Sequence, residues 1–179
     1  MLDLTRIDAG VTMDLADTDL AAIADAERAA MLSPDLTVIR DGEPTVPVRA
    51  DPNRIAQIVS NLVDNARRHT PAGGRIIIDV RADHNHPTGG APRYAELTVT
   101  DTGPGIPEAQ REHIFDRLVR LDAARNADHG GAGLGLPIAT ALARAHHGDL
   151  VCLAHHPGAR FRLTLPPAPL PGRESPVNT

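Results

Sequence analysis

The stretch from Asp51 to Gly74 constrains this chain more than any other. Its apolar residues Ile55, Ile58, Val59, Leu62, Val63 and Ala66 recur at the offsets of one helix face. Asp51-Pro52 supplies the start, an N-cap carboxylate followed by a proline in the first turn. Pro71 and Gly73-Gly74 supply the stop. Asn61 and Asn65 stand four apart and share a side of this helix. At about 100° per residue, that side borders the apolar stripe, so both amides lie at the edge of the core. Arg68 and His69 follow one turn later on the same side. Half-buried amides need partners. A row of amide, amide, guanidinium and imidazole suits a metal-bound polyphosphate. It equally suits a helix with polar residues along its rim, and the helix alone does not decide between them.

The remainder of the chain supplies what the helix must pack on. Val11 to Leu15 alternates as a short strand, and Asp17 or Thr18 caps a helix reaching about Met31, with Leu20, Ile23, Ala24 and Ala30 inward. Leu36 to Arg40 and Val46 to Arg49 are short strands around the turn Asp41-Gly42. Arg75 to Arg81 is a strand, and residues 83–92 form a loop. Tyr94 to Asp101 is a second strand, in which Ala95, Leu97, Val99 and Asp101 share one face by alternation. Asp101 thus ends an apolar face, where a carboxylate is costly unless it is hydrogen-bonded. Asp101-Thr102-Gly103-Pro104-Gly105 follows, with two glycines that let the backbone approach something closely. Residues 108–121 are weakly helical. The run Gly130-Gly131-Ala132-Gly133-Leu134-Gly135 then opens a helix to about His147. Pro137 fits only its first turn, which fixes the start near Gly135. Leu150 to Ala154 and Phe161 to Leu165 form a terminal hairpin.

Composition narrows the function classes. With aromatics at 2% and apolar residues at 41% of 179, the core must be aliphatic. A net charge of −5 argues against nucleic acid as partner. Cys152 is the single cysteine, so no internal disulfide forms, which suits a reducing, cytoplasmic compartment. No apolar run is long enough to span a bilayer, so this domain is expected to make no membrane contact, although a longer parent chain could be anchored. The histidine pairs His84/His86, His146/His147 and His155/His156 lack the Cys/His grid of a zinc site.

Three signals in one order remain: an amide-bearing helix, a strand ending in Asp-x-Gly-x-Gly, and a Gly-x-Gly-x-Gly helix start. Together they resemble the catalytic ATP-binding domain of sensor histidine kinases, a branch of the GHKL superfamily with the Bergerat fold. The N box looks like Asn61 to Thr70, the G1 box like Asp101 to Gly105, the F box like Ile114 to Leu118 and the G2 box like Gly131 to Gly135. Each box alone is weak, but four in order are specific. The resemblance implies an α+β fold, a two-layer α/β sandwich with a mixed sheet on about three helices. It covers residues 1–166, with 1–10 as the end of a dimerisation and phosphotransfer helix and 11–166 as the catalytic domain; beyond it, residues 167–179 read by composition as a disordered Pro-rich tail.

The resemblance also implies roles. Asp101 accepts a hydrogen bond from the adenine amino group, and Gly103 and Gly105 let the backbone pass under the base. Asn65 offers an oxygen to Mg²⁺ with Asn61 nearby. Arg68 and His69 stand where the family usually has Lys and often has Tyr. Gly131, Gly133, Leu134 and Gly135 face the ATP phosphates with backbone N–H groups. The implied partners are a phosphoacceptor histidine domain of the same protein and a response regulator. The family's phosphoacceptor box has no counterpart in the sequence, so the chain reads as the nucleotide half of a two-part kinase that does not autophosphorylate alone. An anti-sigma-type serine kinase of the same superfamily is the alternative. The hydrolase and chaperone branches place a glutamate base where Asn61 stands, which disfavours them.

Overall fold

A computed structural model describes residues 12–31, 33–83, 93–116 and 134–168. The elements are β1 (Ala16–Asp19), α1 (Leu20–Ala30), β2 (Thr37–Gly42), β3 (Pro47–Ala50) and α2 (Pro52–His69). They continue with β4 (Arg75–Ala82), β5 (Ala95–Asp101), two single 3₁₀ turns (Glu108–Gln110 and His113–Phe115), α3 (Gly135–Ala145), β6 (Asp149–Leu153) and β7 (Arg160–Leu165). The expected two layers are present. A five-stranded mixed sheet of order β2-β4-β5-β7-β6 packs one face on the helices, and β1-β3 forms a small antiparallel pair beside it.

The central helix forms where its sequence dictates. Asp51 caps it by accepting from the backbone N–H groups of Asn53 and Arg54, and Pro52 opens the first turn. Its buried residues are the six of the apolar stripe, Ile55, Ile58, Val59, Leu62, Val63 and Ala66. Opposite them lie Ile76, Ile78 and Val80 of β4, and Ala95, Leu97 and Val99 of β5, all within the same core cluster. Each such Val, Leu or Ile side chain contributes about 1.5–3 kcal/mol on burial.

Two expectations near the N-terminal end are corrected. The strand expected at Val11 to Leu15 lies at Ala16–Asp19, because the pairing Ala16↔Ala50 to Asp19↔Pro47 and the Thr18 hydroxyl bond to the Ala50 carbonyl hold a polar segment extended. The following helix is capped by Asp19, not by Asp17 or Thr18, and Ala30 is exposed. The strands flanking Asp41-Gly42 do not form a hairpin. β2 runs parallel to β4 across α2, while β3 pairs with β1. The hairpin β6-β7 is present as expected. Pro167 bridges to Val48, and the Ala168 N–H donates to Pro47, so the start of the expected tail is tied to β3. The helix end expected over 1–10 and the rest of the tail lie outside the described residues.

Candidate functional site

Three loops converge on one side of α2. At its C-terminal end Thr70 closes the helix, its hydroxyl donating to the Ala66 carbonyl at 2.7 Å. The Asp101–Gly105 loop packs directly there: a Cβ at Gly103 would strike the His69 carbonyl, so only glycine permits the approach. Thr102 joins the same corner by accepting from the Arg75 N–H at 2.9 Å. About two and a half turns earlier, the Asn61 side-chain N–H donates to the Gly135 carbonyl at 3.1 Å and so ties the first turn of α3 to α2.

Asp101 sits at the end of the buried face of β5, as the alternation requires, and is 2% exposed. Its Oδ1 accepts from the Gly103 N–H at 2.8 Å and from the Ala159 N–H at 3.1 Å. Among the described residues no protein group donates to Oδ2. The Ala159 amide comes from the β6-β7 turn, where burial and the Arg160 charge push the His155 imidazole below its usual range, partly opposed by the Asp101 carboxylate.

The helix residues behave differently from one another. Asn61 and Asn65 are both half-buried at the rim of the stripe. Arg68 and His69 are exposed. The Arg68 Nε donates back to the Asp64 carbonyl at 3.3 Å. His69 Nδ1 lies 2.8 Å from the Asn65 carbonyl and donates to it. Gly105 lies against the Gly158 carbonyl. Leu134 and Gly135 open α3, with Pro137 in its first turn. Gly131, Gly133 and the segment 117–133 lie outside the described residues. The F-box residue Phe115 is seated edge-on against Phe161, with ring centroids 6.1 Å apart and planes at 88°.

Among the described residues no cluster of three or more His, Cys, Asp or Glu could hold a metal ion. The oxygen donors at the rim are the amides of Asn61 and Asn65. A hard cation bound there would take its other ligands from water or from an anionic ligand. Nor does any helix among the described residues have the length and apolar character to cross a membrane.

Sequence reasoning missed three residues. Gly158 and Ala159 hold Asp101 in place. His146, in one of the histidine pairs, is buried and structural: its Nδ1–H donates to the Leu142 carbonyl at 2.8 Å and its Nε2 accepts from the Asp51 N–H at 3.1 Å. The dipeptide Pro157-Gly158 signals a turn, but nothing local says that it touches Asp101. A separate groove of 440 Å³ lies between the second 3₁₀ turn, α3 and β6, lined by Phe115, Thr140, Arg144, Leu150 and Cys152, and it excludes Asp101 and both asparagines.

Residues 50–169 match the family model described as "Histidine kinase-, DNA gyrase B-, and HSP90-like ATPase". The chain is 43% identical over 127 residues to the adaptive-response sensory kinase SasA of Synechococcus sp. (strain JA-3-3Ab), covering 70% of this chain and 31% of that protein. It is 38% identical over 177 residues to the signal transduction histidine-protein kinase AfsQ2 of Streptomyces coelicolor, covering 96% of this chain and 30% of that protein. The chain therefore spans about a third of the length of these relatives. Among solved structures, full-length ShkA in complex with AMPPNP is similar, with a TM-score of 0.74 and 28% identity over 92% of this chain and 34% of that one.

Proposed function

This chain belongs to the histidine kinase-, DNA gyrase B-, and HSP90-like ATPase family, and on that premise we propose that it is the ATP-binding catalytic half of a two-component sensor histidine kinase. The observation that carries the reading is Asp101, a buried carboxylate that, among the described residues, has protein donors on one oxygen only. An adenine amino group supplies the donor that Oδ2 lacks. Guanine presents a carbonyl oxygen at that place, so acceptor would meet acceptor, and mispaired buried polar groups discriminate strongly. The AMPPNP in the similar ShkA structure, an ATP analogue, supports the same ligand class.

Each remaining residue then has a task. Asn65 suits Mg²⁺, with Asn61 nearby, because it offers a neutral oxygen at the rim and leaves most of the coordination to phosphates and water. The ion, when bound, neutralises charge on the phosphate oxygens during transfer. Arg68 adds a fixed positive charge beside the phosphates, with the exposed His69 next to it. The N–H groups of Gly131, Gly133 and Gly135, with the N-terminal end of α3, suit phosphate oxygens. No covalent chemistry is asked of these side chains. They orient the γ-phosphoryl group toward a histidine supplied by a separate phosphoacceptor domain, and orientation is where most of the rate acceleration arises. A response regulator would then receive the phosphoryl group.

Calorimetry on this chain should show ATP bound in preference to GTP, with binding lost in Asp101→Ala while the fold remains. A helical hairpin carrying the family's phosphoacceptor histidine, added in trans, should acquire an acid-labile label from ATP radiolabelled at the γ-phosphate. Equal affinity for the two nucleotides would sink the assignment of Asp101. Vigorous ATP hydrolysis by the isolated chain, abolished by Asn65→Ala, would move the protein to the hydrolase branch.

A further inference from the structure

The oxygen Asp101 presents to a ligand is set by a turn lying 58 residues further along the chain. Two strands, β5 and β7, run side by side up to the pair Thr100↔Arg160, and the contact continues past the ladder's end. There the Asp101 N–H donates to the Ala159 carbonyl at 2.9 Å, while the Ala159 N–H returns to Asp101 Oδ1 at 3.1 Å. With the Gly103 N–H also on Oδ1 at 2.8 Å, rotation of the carboxylate is fixed and Oδ2 is left for a ligand. Gly158 makes this approach possible. Its φ is +89°, a Cβ there would overlap the Asp101 carbonyl, and the same atom would come within 2.9 Å of Oδ1. On its other side the Gly158 carbonyl lies against Gly105, whose φ is +81°. The β6-β7 turn is thus wedged between the first and last residues of the Asp101–Gly105 loop.

We infer that Gly158 and the backbone of Ala159 are positioning residues for base recognition: the β6-β7 turn aims Asp101 so that a single carboxylate oxygen reads an amino donor on a purine. The inference rests on the proposed role of Asp101 as the adenine reader. An L side chain at position 158 would push the turn off Asp101, withdraw the Ala159 N–H and free the carboxylate to rotate. Affinity for the phosphates should survive, because they lie with α2 and the start of α3. Selectivity for the base should not.

The test compares two glycines. Gly73 has φ +81° with nothing within 4 Å of its virtual Cβ, so Gly73→Ala carries the backbone strain without the contact. The probes are ATP, purine riboside triphosphate, which lacks the 6-amino group, and inorganic tripolyphosphate, each with Mg²⁺ and the full chain. Wild type and Gly73→Ala should both prefer ATP to purine riboside triphosphate by about 100-fold, as expected for a charge-assisted hydrogen bond. In Gly158→Ala that preference should fall below about tenfold, with tripolyphosphate binding unchanged. Full preference in Gly158→Ala, or equal loss in both variants, overturns the inference.

A second measurement covers the case in which Gly158→Ala does not fold. In Asp101→Ala, the Ala159 and Gly103 amides should exchange with solvent at least about tenfold faster, while Leu163 in the middle of β7 is unaffected. Unchanged exchange at Ala159 overturns the positioning role. A wild-type chain that binds both nucleotides equally would instead defeat the base reading by Asp101, and the exchange experiment would still decide whether the turn holds the carboxylate.

Discussion

Two buried aspartates share the interior of this fold and do opposite things. Asp51 is 6% exposed and Asp101 2%. At Asp51 the protein uses both oxygens: Oδ1 accepts from the Asn53 and Arg54 N–H groups, and Oδ2 from the Asp14 N–H. Its own N–H donates to His146, so the residue joins the start of α2 to the end of α3. At Asp101 the two donors converge on Oδ1 alone. Burial is nearly equal, so burial does not distinguish a structural carboxylate from one proposed to read a ligand. The distribution of donors over the two oxygens does.

Exchanging a single atom sharpens this contrast most. Asp101→Asn keeps an oxygen for Gly103 and Ala159 but turns the second oxygen into an N–H donor. That donor opposes an adenine amino group and matches a guanine carbonyl. ATP affinity should fall by about 100-fold and the ATP-to-GTP ratio should approach or pass unity. Calorimetry with both nucleotides measures it, and an unchanged ratio would mean that Oδ2 reads nothing.

The counterpart is Asp51→Ala, which should lower stability by about 2 kcal/mol through the lost cap and leave nucleotide selectivity as it is. The pH dependence has a definite sign. Burial pushes the Asp51 carboxyl up, but the backbone donors Arg54, Asp14 and Asn53 and the Arg54 charge outweigh it, so its pKa is lowered on folding. The stabilisation is therefore complete above the unfolded value of about 3.9 and is lost as pH falls through the lower folded value. Urea midpoints of wild type and Asp51→Asn should differ at neutral pH and converge in strong acid. A difference that persists there would assign the cost to the cap geometry and not to the charge.

Along α2 the same distinction separates its two asparagines, and the proposed Mg²⁺ is the means of testing it. Asn65 has no side-chain hydrogen bond among the described residues, whereas Asn61 donates to Gly135. Asn65→Ala should weaken ATP binding by about tenfold or more in Mg²⁺ and far less in EDTA. Matching losses in both conditions would make Asn65 a fold residue.

Much of this was legible because it is local. The α2 stripe, its Asp51-Pro52 start, the alternation that buries Asp101 and the Pro137 limit on α3 are each written within a few residues, and each matches the structure. What misled was non-local. Asp41-Gly42 carries a hairpin signal, yet β2 finds its partner beyond α2, in a parallel ladder with β4 that leaves Val38 half-buried against the core. The polar β1 has no apolar period, so only its pairing with β3 makes it a strand. The same limit hid Gly158, His146 and Ala159, whose importance lies in contacts with residues far away along the chain, 58 residues for Ala159 and 95 for His146.

The smallest expected effect concerns Asn61. Its amide N–H holds the Gly135 carbonyl, and the facing oxygen lies 3.6 Å from the position of a Gly135 Cβ. In the proposed site this bond fixes where α3 begins, and with it the donors that meet the phosphates. Asn61→Ala should therefore cost about 1 kcal/mol, the worth of one partly exposed hydrogen bond. That corresponds to roughly a fivefold loss of ATP affinity. Unlike the loss at Asn65, it should be largely the same in Mg²⁺ and in EDTA, because it acts through the backbone of α3. Asn61→Asp adds a second contrast, since it removes the donor and places a carboxylate against the Gly135 carbonyl. It should lose more affinity than Asn61→Ala in EDTA. If Asn61→Ala instead shows a loss confined to Mg²⁺, Asn61 serves the metal directly, and the two asparagines form one site.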